Sequence, residues 1–416
     1  MVYQPPVGAR DLLPLDVAQK RWIEDRLQQV FHRWGYHRII TSTLERLDTL
    51  MAGGAIHRST VLQLQENEEE LGLRPELTAS IARTAVTRMA GATHPLRLYY
   101  NANVFRRAQE SSHNRQQEFY QAGVELLGRS GLLADAEILL LVVDCLQNLG
   151  LNQWSLVLGE SGLTRSLLSP FPEALQSKIR YAIAHLDRVT LETLPLSSEL
   201  RDRALFLLDL RGNPTDVLQK TAQLELSDSQ RLSLDNLKSL IDLLQSASIS
   251  SPSSLPYPPT PLPLILDLSL IQTLDYYTGI VFEVVSEHPA GLQVLGQGGR
   301  YDQLLGLYDP HGQTYPGIGF ALQIEHLHQV LVPTGQLPQQ TPAIDWLVVP
   351  EIAQAYPHAL AYAQQLRASA DLVRVELDLG DRTSGEIYDY ARHRRIGSVA
   401  WISAQGEAKV ETLKQV

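Results

Sequence analysis

Between Ser250 and Pro263 the chain carries six prolines and four serines, and that stretch constrains how everything around it can be arranged. Proline lacks an amide donor and fixes φ, so such a run supports neither helix nor sheet and reads as a connector. Before it, from about Leu163 to Ile249, repeated leucines, frequent charges and no convincing strand predict an inserted helical subdomain. After it, Ile280-Val281-Phe282-Glu283-Val284-Val285 returns to a strand pattern. A second break, Val332 to Pro342, is again rich in Pro, Gly and Gln and introduces a final segment of different rhythm. The division expected is 1–332 and 342–416.

Within the first part, Ile23, Leu27, Val30, Phe31 and Trp34 recur at spacings of three and four, which predicts a helix with Asp16 as its cap and Gly35 as its stop. Arg38 to Leu44 is rich in β-branched residues and predicts a strand, followed by strands at 96–100 and 118–125 and a helix at about 134–148. Strands joined by hairpin-length loops favour an antiparallel sheet flanked by helices, an α+β arrangement. In the final segment, strands at 346–349, 373–379 and 399–402 alternate with helices at 353–368 and 384–394. That alternation predicts a small α/β domain with a parallel sheet.

Several function classes are disfavoured at once. Asp and Glu number 46 against 35 Lys and Arg, a formal charge of −11. A net acidic chain needs a local basic face to hold nucleic acid, so the charge weighs mildly against RNA as a partner. The longest apolar run, Ile138 to Leu151, is interrupted by Asp144, Gln147 and Asn148. It falls short of the roughly 18 to 20 residues that cross a bilayer, so no membrane span is expected. A single cysteine, Cys145, allows no internal disulfide, and the N-terminus has no secretory pattern. A cytoplasmic protein is expected, with no cofactor and no metal.

Four constellations carry chemistry. The first is Leu73-Arg74-Pro75-Glu76-Leu77-Thr78-Ala79 with Phe105-Arg106-Arg107 about thirty residues on. In the second, Glu118 to Glu125, a strand's period of two puts Phe119, Gln121, Gly123 and Glu125 on one face. Gln121 and Glu125 would then stand about 13 Å apart at a rise of roughly 3.3 Å per residue, a span that suits the two ends of an amino acid. The third is Leu274-Asp275-Tyr276-Tyr277-Thr278-Gly279. The fourth, Gly296-Gln297-Gly298-Gly299-Arg300-Tyr301-Asp302, matches no phosphate loop or dinucleotide fingerprint; its glycines alone read as a hairpin.

Taken in order, these pieces resemble histidyl-tRNA synthetase over nearly the whole chain. Pro6 to Pro14 looks like that family's N-terminal signature and the first helix like its dimer-forming motif 1. Arg74-Pro75-Glu76, Phe105-Arg106 and Glu118 to Glu125 look like motif 2, and Gly317 to His326 like motif 3. The resemblance implies a class II synthetase fold and a C-terminal domain similar to the anticodon-binding one, here shortened. It also implies a histidine pocket: Glu76, Thr78 and Gln121 at the α-amino group, Glu125 and Tyr277 at the imidazole, and Arg106, Tyr276 and Tyr301 completing it. An ammonium wants carboxylates and neutral acceptors, and an imidazole's donor and acceptor can be met by a carboxylate and a phenol.

The departures fall on the ATP side. Where the synthetase has Arg two residues before Leu-Asp-Tyr-Tyr, this chain has Gln272. Motif 2 normally reads Phe-Arg-x-Glu, but Ala108 stands at the Glu position. Motif 3 normally ends in Glu-Arg, and here His326 follows Glu325. None of the three can supply a guanidinium's fork or a carboxylate at the nucleotide. Histidine-facing groups kept and ATP-facing groups lost make the pattern of a histidine sensor, and resemble the regulatory subunit family of ATP phosphoribosyltransferase. That resemblance implies L-histidine as ligand, a short catalytic ATP phosphoribosyltransferase subunit as partner, and a homodimer within a hetero-octamer. A working histidyl-tRNA synthetase and a free-standing histidine sensor are the alternatives.

Overall fold

A computed structural model describes residues 4–54, 56–66, 69–107, 116–249, 262–270, 277–288, 291–369 and 372–413. The chain separates into two compact units, 1–337 and 338–416. No helix among the described residues is long and apolar enough to cross a membrane.

In the first unit, α1 (Pro14–Arg33) buries Ile23, Leu27, Val30 and Phe31, each no more than 1% exposed. Proline at its first turn costs no hydrogen bond, because that amide has no partner inside a helix. Asp16 is not the first cap residue as expected. It sits one turn in and accepts from the Leu13 N–H at 2.9 Å. After α1 come β1 (His37–Arg38), β2 (Leu44–Arg46), α2 (Leu47–Met51), β3 (Leu62–Glu66), β4 (Glu69–Leu73) and α3 (Thr78–Val86). Then follow β5 (Leu96–Phe105), β6 (Glu118–Leu127), α4 (Leu132–Asn148) and β7 (Ser155–Glu160).

The strand expected over Arg38 to Leu44 is therefore two short pieces. The reason lies in Arg74, which is 4% exposed. Its guanidinium donates to the carbonyls of Thr41 at 2.8 Å, Ser42 at 3.1 Å and Asn103 at 3.0 Å. Backbone acceptors that serve a buried side chain are withdrawn from the sheet ladder.

The helical stretch comprises α5 (Ser161–Leu168), α6 (Glu173–Ala184), α7 (Arg188–Thr193), α8 (Ser198–Leu208), α9 (Pro214–Thr221) and α10 (Asp228–Ile249), with a two-residue strand β8 (Arg211–Gly212) between α8 and α9. It shares one continuous apolar core with the sheet: Leu163, Ile183, Leu207 and Leu244 belong to the same cluster as Val124, Phe282 and Phe320. Next come β9 (Leu264–Asp267), β10 (Ile280–His288), β11 (Gly291–Arg300), α11 (Leu304–Tyr308), β12 (Gly317–Gln323) and α12 (Ile324–Leu331).

The large sheet has nine strands in the order β1-β5-β6-β12-β11-β10-β7-β9-β8. Only the β1–β5 and β7–β9 pairs are parallel. Strand alternation divides its faces. Ala122, Val124 and Leu126 of β6 join the core against α1 and α4, while the odd-numbered residues face the side covered by α3 and α11. The glycines at 296–299 lie inside β11, hydrogen-bonded to strands on both sides, and not in the hairpin turn expected of them. A side chain at Gly298 would stand 2.3 Å from the Gly319 carbonyl, which is why glycine is needed in a strand interior.

The second unit holds β13 (Trp346–Pro350), α13 (Tyr356–Arg367), β14 (Val375–Leu377), α14 (Ser384–His393), β15 (Ser398–Ile402) and β16 (Ala408–Thr412). Its sheet order is β14-β13-β15-β16. The first three strands are parallel as expected, but β16 adds an antiparallel edge that the sequence pattern did not reveal.

Candidate functional site

A cavity of about 270 Å³ opens on the α3-covered face of the large sheet. That is slightly below the roughly 300 to 1,000 Å³ of pockets for drug-sized ligands, and so of the order an amino acid requires. The sheet beneath it is a grid of three rows across β6, β12 and β11, of which Gly319, Ala321, Gln297 and Gln121 line the cavity. In the first row Glu125 pairs with Gly319, and Gly319 with Gly299. The second row is Gly123, Ala321 and Gln297, and the third holds Gln121 and Gln323. Successive rows are two residues apart, or about 7 Å.

The first row is deep because two of its three members lack side chains. A Cβ on Gly319 would lie 1.9 Å from a Glu125 carboxylate oxygen and 2.3 Å from the Val124 carbonyl. Glu125, 1% exposed, accepts from the Thr78 hydroxyl at 2.7 Å and from the Tyr301 phenol. Burial pushes its pKa up to about 8, against the opposing pull of those two donors. Tyr277 closes the same end at 9% exposure, and desolvation raises its phenol well above the usual value. Arg300 fixes the segments on either side of it. It bridges Asp135 and Asp302, and its carbonyl accepts from the Thr278 N–H at 2.7 Å, one residue from each tyrosine.

Glu76 lines the cavity from the start of α3, where its two oxygens accept from the N–H groups of Thr78 at 2.5 Å and Ala79 at 2.9 Å. A carboxylate is favoured at a helix N-terminus, yet burial is the larger effect here and raises its pKa. Arg106 reaches the cavity beside it, with Nε donating to the Pro75 carbonyl at 2.9 Å. Gln121 is 2% exposed, lines the cavity, and its side-chain carbonyl oxygen has no hydrogen-bond partner among the described residues.

Of the residues the sequence singled out, Glu76, Thr78, Arg106, Gln121, Tyr277 and Tyr301 all line this one cavity, and Glu125 bonds to two of them. Tyr276 lies outside the described residues, as do Gln272 and Ala108. His326 is not on the cavity wall: its Nδ1 lies 2.7 Å from the Val294 carbonyl on β11. The sequence reading missed Tyr100 and Gln297, both of which line the cavity. Tyr100 sits on β5 opposite Gly123, and a Cβ there would strike its hydroxyl at 2.5 Å. Among the described residues no group of three His, Cys, Asp or Glu could hold a metal ion.

Residues 8–327 match the family described as Histidyl-tRNA synthetase. An "ATP phosphoribosyltransferase regulatory subunit" of Nostoc punctiforme is 66% identical, with both chains covered in full. Another, of Nostoc sp., is 65% identical over the same extent. Among solved structures, an "ATP phosphoribosyltransferase regulatory subunit/histidyl-tRNA synthetase" from Bacillus halodurans superposes with TM-score 0.79 at 26% identity, covering 97% of this chain and 99% of that one. The histidyl-tRNA synthetase from Nostoc sp. shares the fold, with TM-score 0.76 over 99% of this chain and 97% of that one, at 21% identity.

Proposed function

The chain belongs to the ATP phosphoribosyltransferase regulatory subunits, a family with the histidyl-tRNA synthetase fold, and on that premise we propose that its cavity binds free L-histidine without activating it. Membership makes the chain a non-catalytic subunit with a role in histidine biosynthesis. The same organism, Nostoc sp., has a protein of each kind, and this chain is 65% identical to the regulatory subunit against 21% to the synthetase. In our reading the chain joins a short catalytic ATP phosphoribosyltransferase subunit in the cytoplasm, switches it on, and relays inhibition by histidine. It does so as a homodimer within a hetero-octamer, and tRNA is not among its partners. What supports the dimer is the similarity of α1 to the synthetase family's dimer-forming helix.

The observation that carries the histidine reading is the Gln121 oxygen. A buried acceptor left unsatisfied costs about 1 to 3 kcal/mol, and a ligand ammonium would satisfy it. At the other end the lining phenol of Tyr277 can meet an imidazole, and Glu125, two rows from Gln121 and bonded to the lining residues Thr78 and Tyr301, is the acceptor proposed for it. Coupling to the partner needs only that histidine favour one conformation of the complex, by about 1 to 3 kcal/mol.

Two measurements test this. Calorimetry should show one L-histidine per chain, and mixing with a short catalytic subunit should give a complex that turns over faster than that subunit alone and is inhibited by histidine. Histidine-dependent exchange of pyrophosphate into ATP at synthetase-like rates would overturn the proposal. So would the lack of both association and altered kinetics.

A further inference from the structure

Gln297 occupies the middle row of the cavity floor, and nothing yet described accounts for it. In the deep row β11 contributes Gly299 and β12 Gly319, so the floor there is backbone. One row on, β6 and β12 still contribute only Gly123 and Ala321, but β11 raises a glutamine. Gln297 is half-buried on the cavity wall, and its amide makes no hydrogen bond to any described residue. A primary amide carries two donors and an acceptor, and here they are open to a ligand in the cavity.

The neighbouring groups indicate which part of the ligand it meets. The deep row offers acceptors and a phenol around Glu125, with Glu76 accepting from the N–H of the same Thr78 whose hydroxyl donates to Glu125, and the third row offers the bare Gln121 oxygen. Both ends therefore suit donors: an imidazole N–H at one and an ammonium at the other. A carboxylate needs donors instead. Among the donors on the wall are the terminal nitrogens of Arg106 and the amide of Gln297, which stands on β11 in the middle row. An amino acid with its imidazole in the deep row places its α-carbon over that middle row, which brings its carboxylate within reach of the glutamine.

We propose that Gln297 is a specificity-determining residue of the cavity, donating to the α-carboxylate of free histidine and so distinguishing it from analogues without that carboxylate. This rests on the histidine reading. The test compares L-histidine with L-histidinol, in which the carboxylate is a hydroxymethyl group, by calorimetry on the full chain. Gln297→Ala should weaken L-histidine roughly 10- to 100-fold, the range for a hydrogen bond to a charged group, while changing L-histidinol less than about twofold. Gln297→Glu, of nearly the same shape, should weaken L-histidine further through charge repulsion and leave L-histidinol bound. Equal losses for both ligands in the two variants, or no loss in either, overturn the role given to Gln297 and leave the histidine site standing. If the parent chain binds neither ligand, the site assignment itself falls, and this role with it.

Discussion

The deep end of the cavity and the helix α12 put their polar groups to different use. At the deep end Thr78 and Tyr301 donate to Glu125, glycines at 299 and 319 leave the slot open, and Arg300 braces the chain on both sides. Off the cavity wall, α12 carries His326, whose ring lies 2.7 Å from the Val294 carbonyl. The first is a slot of prearranged polar groups, and the second is ordinary packing. On the histidine reading proposed above, recognition and activation would be separable within one fold.

The contrast is broken most severely at Gly319. Gly319→Ala drives a methyl group into the Glu125 carboxylate and the Val124 carbonyl, so we expect histidine binding to disappear and stability to fall by about 1 to 3 kcal/mol, the cost of overpacking. Calorimetry and a urea melt check both; unchanged affinity would mean that the slot is not where the ligand sits. Next in size is Glu125→Ala, which removes the imidazole's acceptor and should cost roughly 1 to 3 kcal/mol of binding while the chain stays folded. If its affinity matched the parent's, the deep end would have no role in recognition.

A pH experiment sharpens the same contrast without a ligand. The Glu125 carboxyl is raised by burial from 4.5 to about 8 in the folded chain. A group raised on folding contributes stability below its unfolded value and loses it as pH climbs through the folded one. Urea melts of parent and Glu125→Gln should therefore diverge between pH 4.5 and 8, with the variant gaining relative to the parent at the upper end. A constant gap would show that Glu125 is not the buried acid. The smallest effect is expected at His326→Arg, which should shift histidine affinity less than about twofold and lower stability by about 0.5 to 1.5 kcal/mol through the lost carbonyl contact. Pyrophosphate exchange should remain absent, and its appearance would mean that a single charge had been withholding activity.

Local periodicity was enough for the parts whose environment repeats. The spacing of Ile23, Leu27, Val30 and Phe31 showed a buried helix face, and alternation in β6 put Gln121, Gly123 and Glu125 on one side of a strand. What stayed hidden depends on partners far along the chain. Arg38 to Leu44 has the composition of a strand, but Arg74, thirty residues away, takes its carbonyls. The glycines at 296–299 look like a turn until β12 is laid against them and its carbonyls occupy the space of a side chain. Strand β16 is mostly exposed and shows no alternation to read. Gln297 could have been found by counting one row back from Gly299, once the Gly-rich run was known to be a strand. Tyr100 carried no such signal, because its role comes from facing Gly123 across the sheet.

The order of the large sheet has a further consequence. Its inner strands β5, β6 and β11 run ten residues each, yet both borders, β1 and β8, are two-residue strands. A border so short exposes few free amide and carbonyl groups, so a foreign strand gains almost no ladder by adding itself there. The molecule is thereby protected against runaway edge-to-edge polymerisation, the hazard a nine-stranded platform would otherwise carry at high concentration in the cell.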